Sequence, residues 1–270
     1  MEHIGVYLYG FVPEGTALDL SGIEGVEGNG PIRAVELGGS TAVVGEVSLD
    51  AFEAAMSAGL DGGPDPGWVI PRALRHEAVL DAVLARSPVL PARFGTLFSS
   101  PEALEALASE HRQVIARFFE DIGDRVEWSL RGYHDPERSI ELLLRADPEL
   151  SRRRLALPET PGARYFREKK LREEARREAR RSVALVAEGV RRALRLITDD
   201  VRSLPLRAAE SPDGEMILHE TFLMSSGQMA KAEDAIRSSA EGPIGGLLTL
   251  EPSGPWPPFH FCPELGGPST

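Results

Sequence analysis

An α+β chain of two tandem modules is predicted by three observations on this 270-residue sequence. Short apolar runs with strand character recur along it, helical stripes separate them, and the second half orders them as strand, helix, strand, strand, helix, strand. That order is the split βαβ arrangement of the ferredoxin-like fold. The first half resembles it with one crossover helix replaced by an irregular link. The expected domains are residues 1–122, including a bridging helix, and residues 123–270, with a long basic helix and a C-terminal arm rich in proline and aromatic residues.

The elements follow in order. Ile4 to Phe11 is continuously apolar, which places a strand in a sheet interior with both faces covered. Gly22 to Gly30 reads as a loop, and Pro31 to Leu37 with Thr41 to Val47 as a hairpin turning at Gly38-Gly39-Ser40. Asp50 is the expected cap of the next helix, with Glu53 as its box partner. After a Gly62 to Gly67 loop, a helix over Pro71 to Arg86 leads to a strand at Val89 to Phe94. Ser100-Pro101-Glu102 starts a helix whose buried face carries Leu104, Leu107, Val114, Ile115 and Phe118.

In the second half, Val126, Trp128 and Leu130 alternate with Glu127, Ser129 and Arg131, as in a strand with one buried face. A single helical stretch is expected from Gly162 to Ser203, its stripe running from Leu171 to Val201. Strands at Pro205 to Glu210 and Glu215 to Met224 form a hairpin around Ser211-Pro212-Asp213-Gly214. A helix over Ser226 to Ala240 and a strand over Gly246 to Glu251 complete the domain.

The segment Gly254-Pro255-Trp256-Pro257-Pro258-Phe259-His260-Phe261 holds three prolines and three aromatics, so it is expected to leave the last strand as a stiff, extended arm. A tail closing over its own domain is the first reading, and a surface gripping a partner is the alternative. If Trp256 is core, Trp256→Ala costs about 3 to 5 kcal/mol.

Composition bounds the function. Thirty basic and 42 acidic residues give a net charge of −12, against the basic footprint that nucleic-acid binding needs. From Arg164 to Arg195, however, 12 basic residues face only 5 Glu, which points to internal pairing or an acidic partner. Met1-Glu2-His3 is not the basic start of a targeting segment. No apolar run approaches the roughly 20 residues of a membrane span, so a cytoplasmic protein without a membrane partner is expected. Cys262 is the sole cysteine, which excludes an intramolecular disulfide.

The residues of catalysis are scarce. None of the six histidines is spaced to aim two imidazoles at one metal, and the glycines at 22, 25, 28 and 30 fit no phosphate-binding pattern. No catalytic, cofactor or metal site is expected. Arg93, at the end of an apolar strand, is expected to need a carboxylate such as Glu77 or several carbonyls.

With these segments placed, the chain resembles the GvpF/GvpL family of gas vesicle proteins. Tyr7-Leu8-Tyr9-Gly10 is similar to the family's first strand, and Leu90-Pro91-Ala92-Arg93-Phe94-Gly95-Thr96 to its LPxRFGT block, after a His-Glu helix like His76-Glu77. Glu127-Trp128, Gly162-Ala163-Arg164-Tyr165 and Gly254 to Pro258 resemble later family motifs in the same order. His219-Glu220-Thr221 and Phe259-His260 depart from the family pattern.

The resemblance implies a minor, non-catalytic component of the gas vesicle, involved in assembly. It would bind the hydrophobic main shell protein and prevent its aggregation, alongside other gas vesicle accessory proteins, with a location at the gas-facing side of the shell. Structural or partner-binding candidates are Arg93, Phe94, Gly95, Glu127, Trp128, Tyr165, Pro255, Trp256, Pro257, Pro258 and Phe259. The competing classes are an RNA-binding module on a ferredoxin-like sheet and a small-molecule binder using an inter-domain cleft.

Overall fold

A computed structural model describes residues 3–28, 30–59, 63–206, 214–239 and 245–265. The chain divides into two compact units, residues 1–127 with 255–270, and residues 128–254. The division falls five residues beyond the expected one, and the C-terminal segment groups with the first unit.

In the first unit, β1 (Ile4–Pro13) is buried on both faces, as a continuous apolar run demands. The sheet order is β2 (Arg33–Glu36), β3 (Ser40–Ser48), β1, β4 (Leu90–Pro91), with β5 (Leu97–Phe98) also pairing β1. The β2–β3 hairpin turns at Gly38 and Gly39, whose φ values of 64° and 129° suit glycine. Helix α1 (Leu49–Ser57) is capped by Ser48, whose side chain accepts from the Ala51 N–H. Asp50, the expected cap, instead binds His3 at 3.0 Å from Nδ1. Helix α2 (Pro66–Leu84) begins five residues earlier than Pro71, because Asp65 caps it and Pro66 suits its first position.

The strand expected over Val89 to Phe94 is two short strands separated by a turn at residues 92–96. Pro91 has no N–H to continue the ladder, and Gly95 takes a φ of 81°. The single helix expected after Ser100 is also two, α3 (Pro101–Glu110) and α4 (Arg112–Ile122), with the break at His111. Ile115, Phe118 and Ile122 of α4 are buried, while Val114, expected on the same face, is exposed.

Gly10 has a specific steric reason. The β1–β3 register shifts between Leu8 and Gly10, and a Cβ at Gly10 would stand 2.6 Å from the Leu90 carbonyl oxygen of the adjoining strand. Gly10→Ala must push β4 away and is expected to cost about 1 to 3 kcal/mol in urea denaturation. An unchanged midpoint would show that β4 yields without penalty.

In the second unit the sheet order is β7 (Val201–Ser203), β8 (Glu215–Met224), β6 (Val126–His134), β9 (Thr249–Trp256). Both sheets thus place the second, third, first and fourth strands of their set side by side, as a split βαβ arrangement places them. Two further helices follow β6 before the long helix, α5 (Pro136–Ala146) and α6 (Pro148–Leu155). Asp135 and Asp147 cap them and a proline opens each, a signal present in the residues.

The long helix α7 (Pro161–Arg195) is shorter than expected, ending before Val201, which is a strand residue. The strand described beside β8 is β7, whose residues pair with Glu220 to Phe222, ahead of the strand expected at Pro205 to Glu210. Residues 207–213, with the expected turn at Ser211-Pro212-Asp213, lie outside the described residues. Helix α8 (Ser226–Ser239) precedes β9, and Ala240 also lies outside them.

The core of this unit joins Leu130, Leu218 and Phe222 of the sheet to Ile140 of α5 and Ala175, Val190 and Leu194 of α7. The C-terminal strand reaches Trp256, passing through Pro252 and Pro255, so the arm starts later than expected. β9 lies at the sheet edge, where a missing N–H breaks no ladder on the open side.

Candidate partner-binding surfaces

The turn at residues 92–96 is bolted to the interior of the first unit. Ala92 N–H donates to the Tyr9 carbonyl (2.8 Å), Leu8 N–H to the Thr96 carbonyl (3.0 Å), and Gly95 N–H to the Tyr7 hydroxyl oxygen (3.1 Å). His76 lies 2.9 Å from that hydroxyl through Nδ1 and 3.2 Å from the Ala92 carbonyl through Nε2. A carbonyl only accepts, so Nε2 carries the proton and Nδ1 accepts from Tyr7. Burial drives the imidazole pKa down to about 4 and the Tyr7 phenol well above its ordinary range. Tyr9 stacks on the same imidazole at 5.7 Å, and burial pushes its phenol up to about 12. The tyrosine-rich strand, the His-Glu helix and the turn motif, distant in sequence, are therefore one hydrogen-bonded assembly.

What this assembly presents outward is Arg93. Its carbonyl accepts from the N–H and hydroxyl of Thr96, but its side chain is exposed and has no carboxylate partner among the described residues. The expected ion pair with Glu77 is absent because Arg93 sits at the turn's solvent side, not within a strand. Phe94 packs inward beside Tyr7, Phe52 and His76, and Gly95 supplies the turn's positive φ.

Glu127 corrects the predicted alternation. It and Ser129 are buried, whereas Trp128 is only partly so and Arg131, on the same face as Glu127, is exposed. The Glu127 carboxylate accepts from the His260 backbone N–H at 2.9 Å and from its Nδ1 at 2.5 Å. Pro257 and Pro258 are buried, and their carbonyls accept from the Phe259 and Phe261 N–H groups, closing the tail into tight turns. Pro255 is exposed, and Trp256 and Phe259 keep 41% and 40% of their surface in solvent. Trp256 is thus not a core residue, and the 3 to 5 kcal/mol expected for a buried tail does not apply. Glu127→Ala is expected to free the tail for limited proteolysis while costing about 1 to 3 kcal/mol. A tail that stays resistant would assign its anchoring to the buried prolines.

The His219-Glu220-Thr221 departure has a structural role. Glu220 is fully buried, accepting from Arg191 Nε at 2.8 Å and from the Ser203 hydroxyl, and the Thr221 hydroxyl donates to the Trp128 carbonyl. Among the described residues, four of the basic residues of α7, Arg172, Arg176, Arg181 and Arg191, have carboxylate partners, and α6 adds Arg153. Arg172 reaches Glu137 and Glu141, Arg176 reaches Glu137 and Glu173, and Arg153 reaches Glu174. Hydrogen bonds from Arg172 and Arg153 hold the Glu141 and Glu174 carboxyls below their ordinary range. Residues 161–170, by contrast, are exposed throughout, and the Tyr165 ring meets that of Phe166 edge-on at 5.7 Å.

Among the described residues, no group of three His, Cys, Asp or Glu side chains is placed to hold a metal, and no helix is long and apolar enough to cross a membrane. The family profile described as gas vesicle synthesis protein GvpL/GvpF matches residues 5–263. Gas vesicle protein F of Streptomyces sp. (strain CB03234) is 25% identical over 197 residues, covering 70% of this chain and 76% of that protein. Gas vesicle protein L of the same strain is 31% identical over 116 residues, 42% of each chain. In structure, the chain is similar to GvpF from Anabaena sp. PCC7120, with a TM-score of 0.65, 16% identity, and 96% and 98% of the two chains covered. For GvpF from Microcystis aeruginosa the TM-score is 0.56 at 17% identity, with 95% and 98% covered. A match running from the first strand through the clasped tail means that this chain belongs to the GvpL/GvpF family of gas vesicle synthesis proteins.

Proposed function

We propose that this protein is a minor accessory component of the gas vesicle that binds the hydrophobic main shell protein and prevents its aggregation before assembly. Family membership supports a role in gas vesicle assembly. The observation that carries the finer reading is the half-exposure of Trp256 and Phe259 on a segment anchored by two buried prolines and Glu127. An aromatic held in place loses little conformational freedom on binding, which is what makes a fixed ring an effective anchor for an apolar partner. Arg93 adds a guanidinium with no carboxylate partner among the described residues, on a rigid turn, suited to a carboxylate or backbone carbonyl of a partner. Other gas vesicle accessory proteins are the second class of partner, and the gas-facing side of the shell is the proposed location.

The test is light scattering of the shell protein diluted from denaturant, with and without this chain. Suppression at near-stoichiometric amounts is expected, and no effect on aggregation overturns the reading. The double variant Trp256→Ser, Phe259→Ser is expected to lose suppression. Because both rings are partly solvated, it should lose only about 1 to 2 kcal/mol of stability. A folded double variant that still suppresses aggregation would remove the tail from the binding surface.

A further inference from the structure

A cleft of about 430 Å³ in the second unit holds two polar groups without a partner among the described residues. It opens where α7 passes the end of β6 and the start of β8. Ala179, Val183 and Ala187 of α7 are too short to fill the space towards Ile217, so the floor is apolar. His134 lines this cleft, is 4% exposed, and its Nε2 has no hydrogen-bond partner among the described residues. Arg180 lines it too, with no ion pair or hydrogen bond among them. The other cations of the rim are already engaged, Arg176 by Glu137 and Glu173, and Arg191 by Glu220.

We propose that this cleft binds a carboxylate carried on a short apolar body, with Arg180 as its charge partner and His134 as its second hydrogen-bonding group. The volume lies at the low end for ligand sites and suits a single side-chain-sized group. One uncommitted guanidinium matches one carboxylate in planar, two-pronged geometry. A phosphate dianion would be poorly compensated, since Glu215 is also on the rim. The apolar floor, in turn, rewards a ligand with an attached hydrocarbon part and gives a bare ion nothing. A small rotation of the imidazole gives Nε2 the partner that it lacks.

Burial holds the His134 pKa below its ordinary value against the opposing pull of Glu215 and Asp135, and Arg180 adds a smaller lowering effect. A bound carboxylate adds a further negative charge and must move that titration upward. The source of the carboxylate is either a free organic acid or an acidic side chain of a partner polypeptide flanked by apolar residues.

The experiment follows the His134 ring signals by NMR in the whole protein during titration with 3-phenylpropionate, with its amide, with sulfate, and with the peptides acetyl-Leu-Glu-Leu-amide and acetyl-Leu-Gln-Leu-amide. Saturable shifts and a raised His134 titration are expected with an acid, at least tenfold weaker with its amide and in Arg180→Gln. Tighter binding of the Glu peptide than of the free acid assigns the site to a partner chain, and the reverse order to a metabolite. Absence of any saturable shift overturns the proposal. Equal responses to acid and amide, or to sulfate, also overturn it. Arg180 is exposed, so its replacement leaves the fold intact, and the acid-against-amide comparison stands without any variant.

Discussion

Arg191→Met should destabilise the second unit by about 3 to 5 kcal/mol, because it leaves the carboxylate of Glu220 buried without its cation. Glu220 has no solvent exposure, and its remaining partner among the described residues is the Ser203 hydroxyl at 2.8 and 3.0 Å. A hydroxyl offers one hydrogen to a group that holds a full charge, so it cannot replace a guanidinium. The loss should be local to residues 128–254 and appear as an earlier urea transition of that unit.

The double variant Arg191→Met, Glu220→Leu separates the pair from its packing. Removing both charges is expected to recover most of the loss, since an apolar pair of similar volume avoids the desolvation that the ions pay. A double variant as unstable as Arg191→Met would show that the Arg191 stem or the Ser203 contact carries the stability. The same pair is what lets a carboxylate stand at position 220 in the interior: Arg191, 29 positions away, meets it.

The second large effect is acid sensitivity of the first unit through His76. In the folded chain burial lowers its pKa to about 4, against 6.5 when unfolded. Between those values the unfolded chain takes up a proton that the folded chain refuses, so stability present above pH 6.5 is lost as the pH falls towards 4. The gap corresponds to about 3 kcal/mol. The structural event is protonation of Nδ1, which removes the acceptor of the Tyr7 hydroxyl and unsettles the turn that Tyr7 holds through Gly95.

Urea denaturation at about pH 7 and about pH 4 should therefore show a larger drop for the native chain than for His76→Gln, which cannot titrate in this range. Trp68, packed edge-on against Phe52 at 4.7 Å, reports this unit when Trp128 and Trp256 are replaced by Phe. An equal drop in His76→Gln would assign the acid sensitivity to the surface carboxylates.

Several parts of this architecture are legible in the residues. The interior strand at Ile4 is announced by its unbroken apolar run, the β2–β3 hairpin by Gly38-Gly39, and α7 by a stripe of apolar residues every third or fourth position. The Asp-Pro starts of α5 and α6 are equally local signals, an acidic cap followed by proline at the first helical position. The sites are different. Arg93 reads as a buried cation because its neighbours are apolar, and only the turn at Gly95 sends it outward.

Local order is what this sequence determines by itself: which segments are strands, which are helices, and the succession that both sheets share. Those properties depend on periodicity, capping and proline placement, interactions spanning a few residues at most. Partnership is decided only by the tertiary structure. Glu127 with His260, Tyr7 with His76 and Gly95, and Arg191 with Glu220 join residues 133, 69, 88 and 29 positions apart. Whether a charge or a ring is buried, paired or left to solvent depends on what the fold brings opposite it. A pattern of side chains along one segment carries no record of the distant segment that will face it.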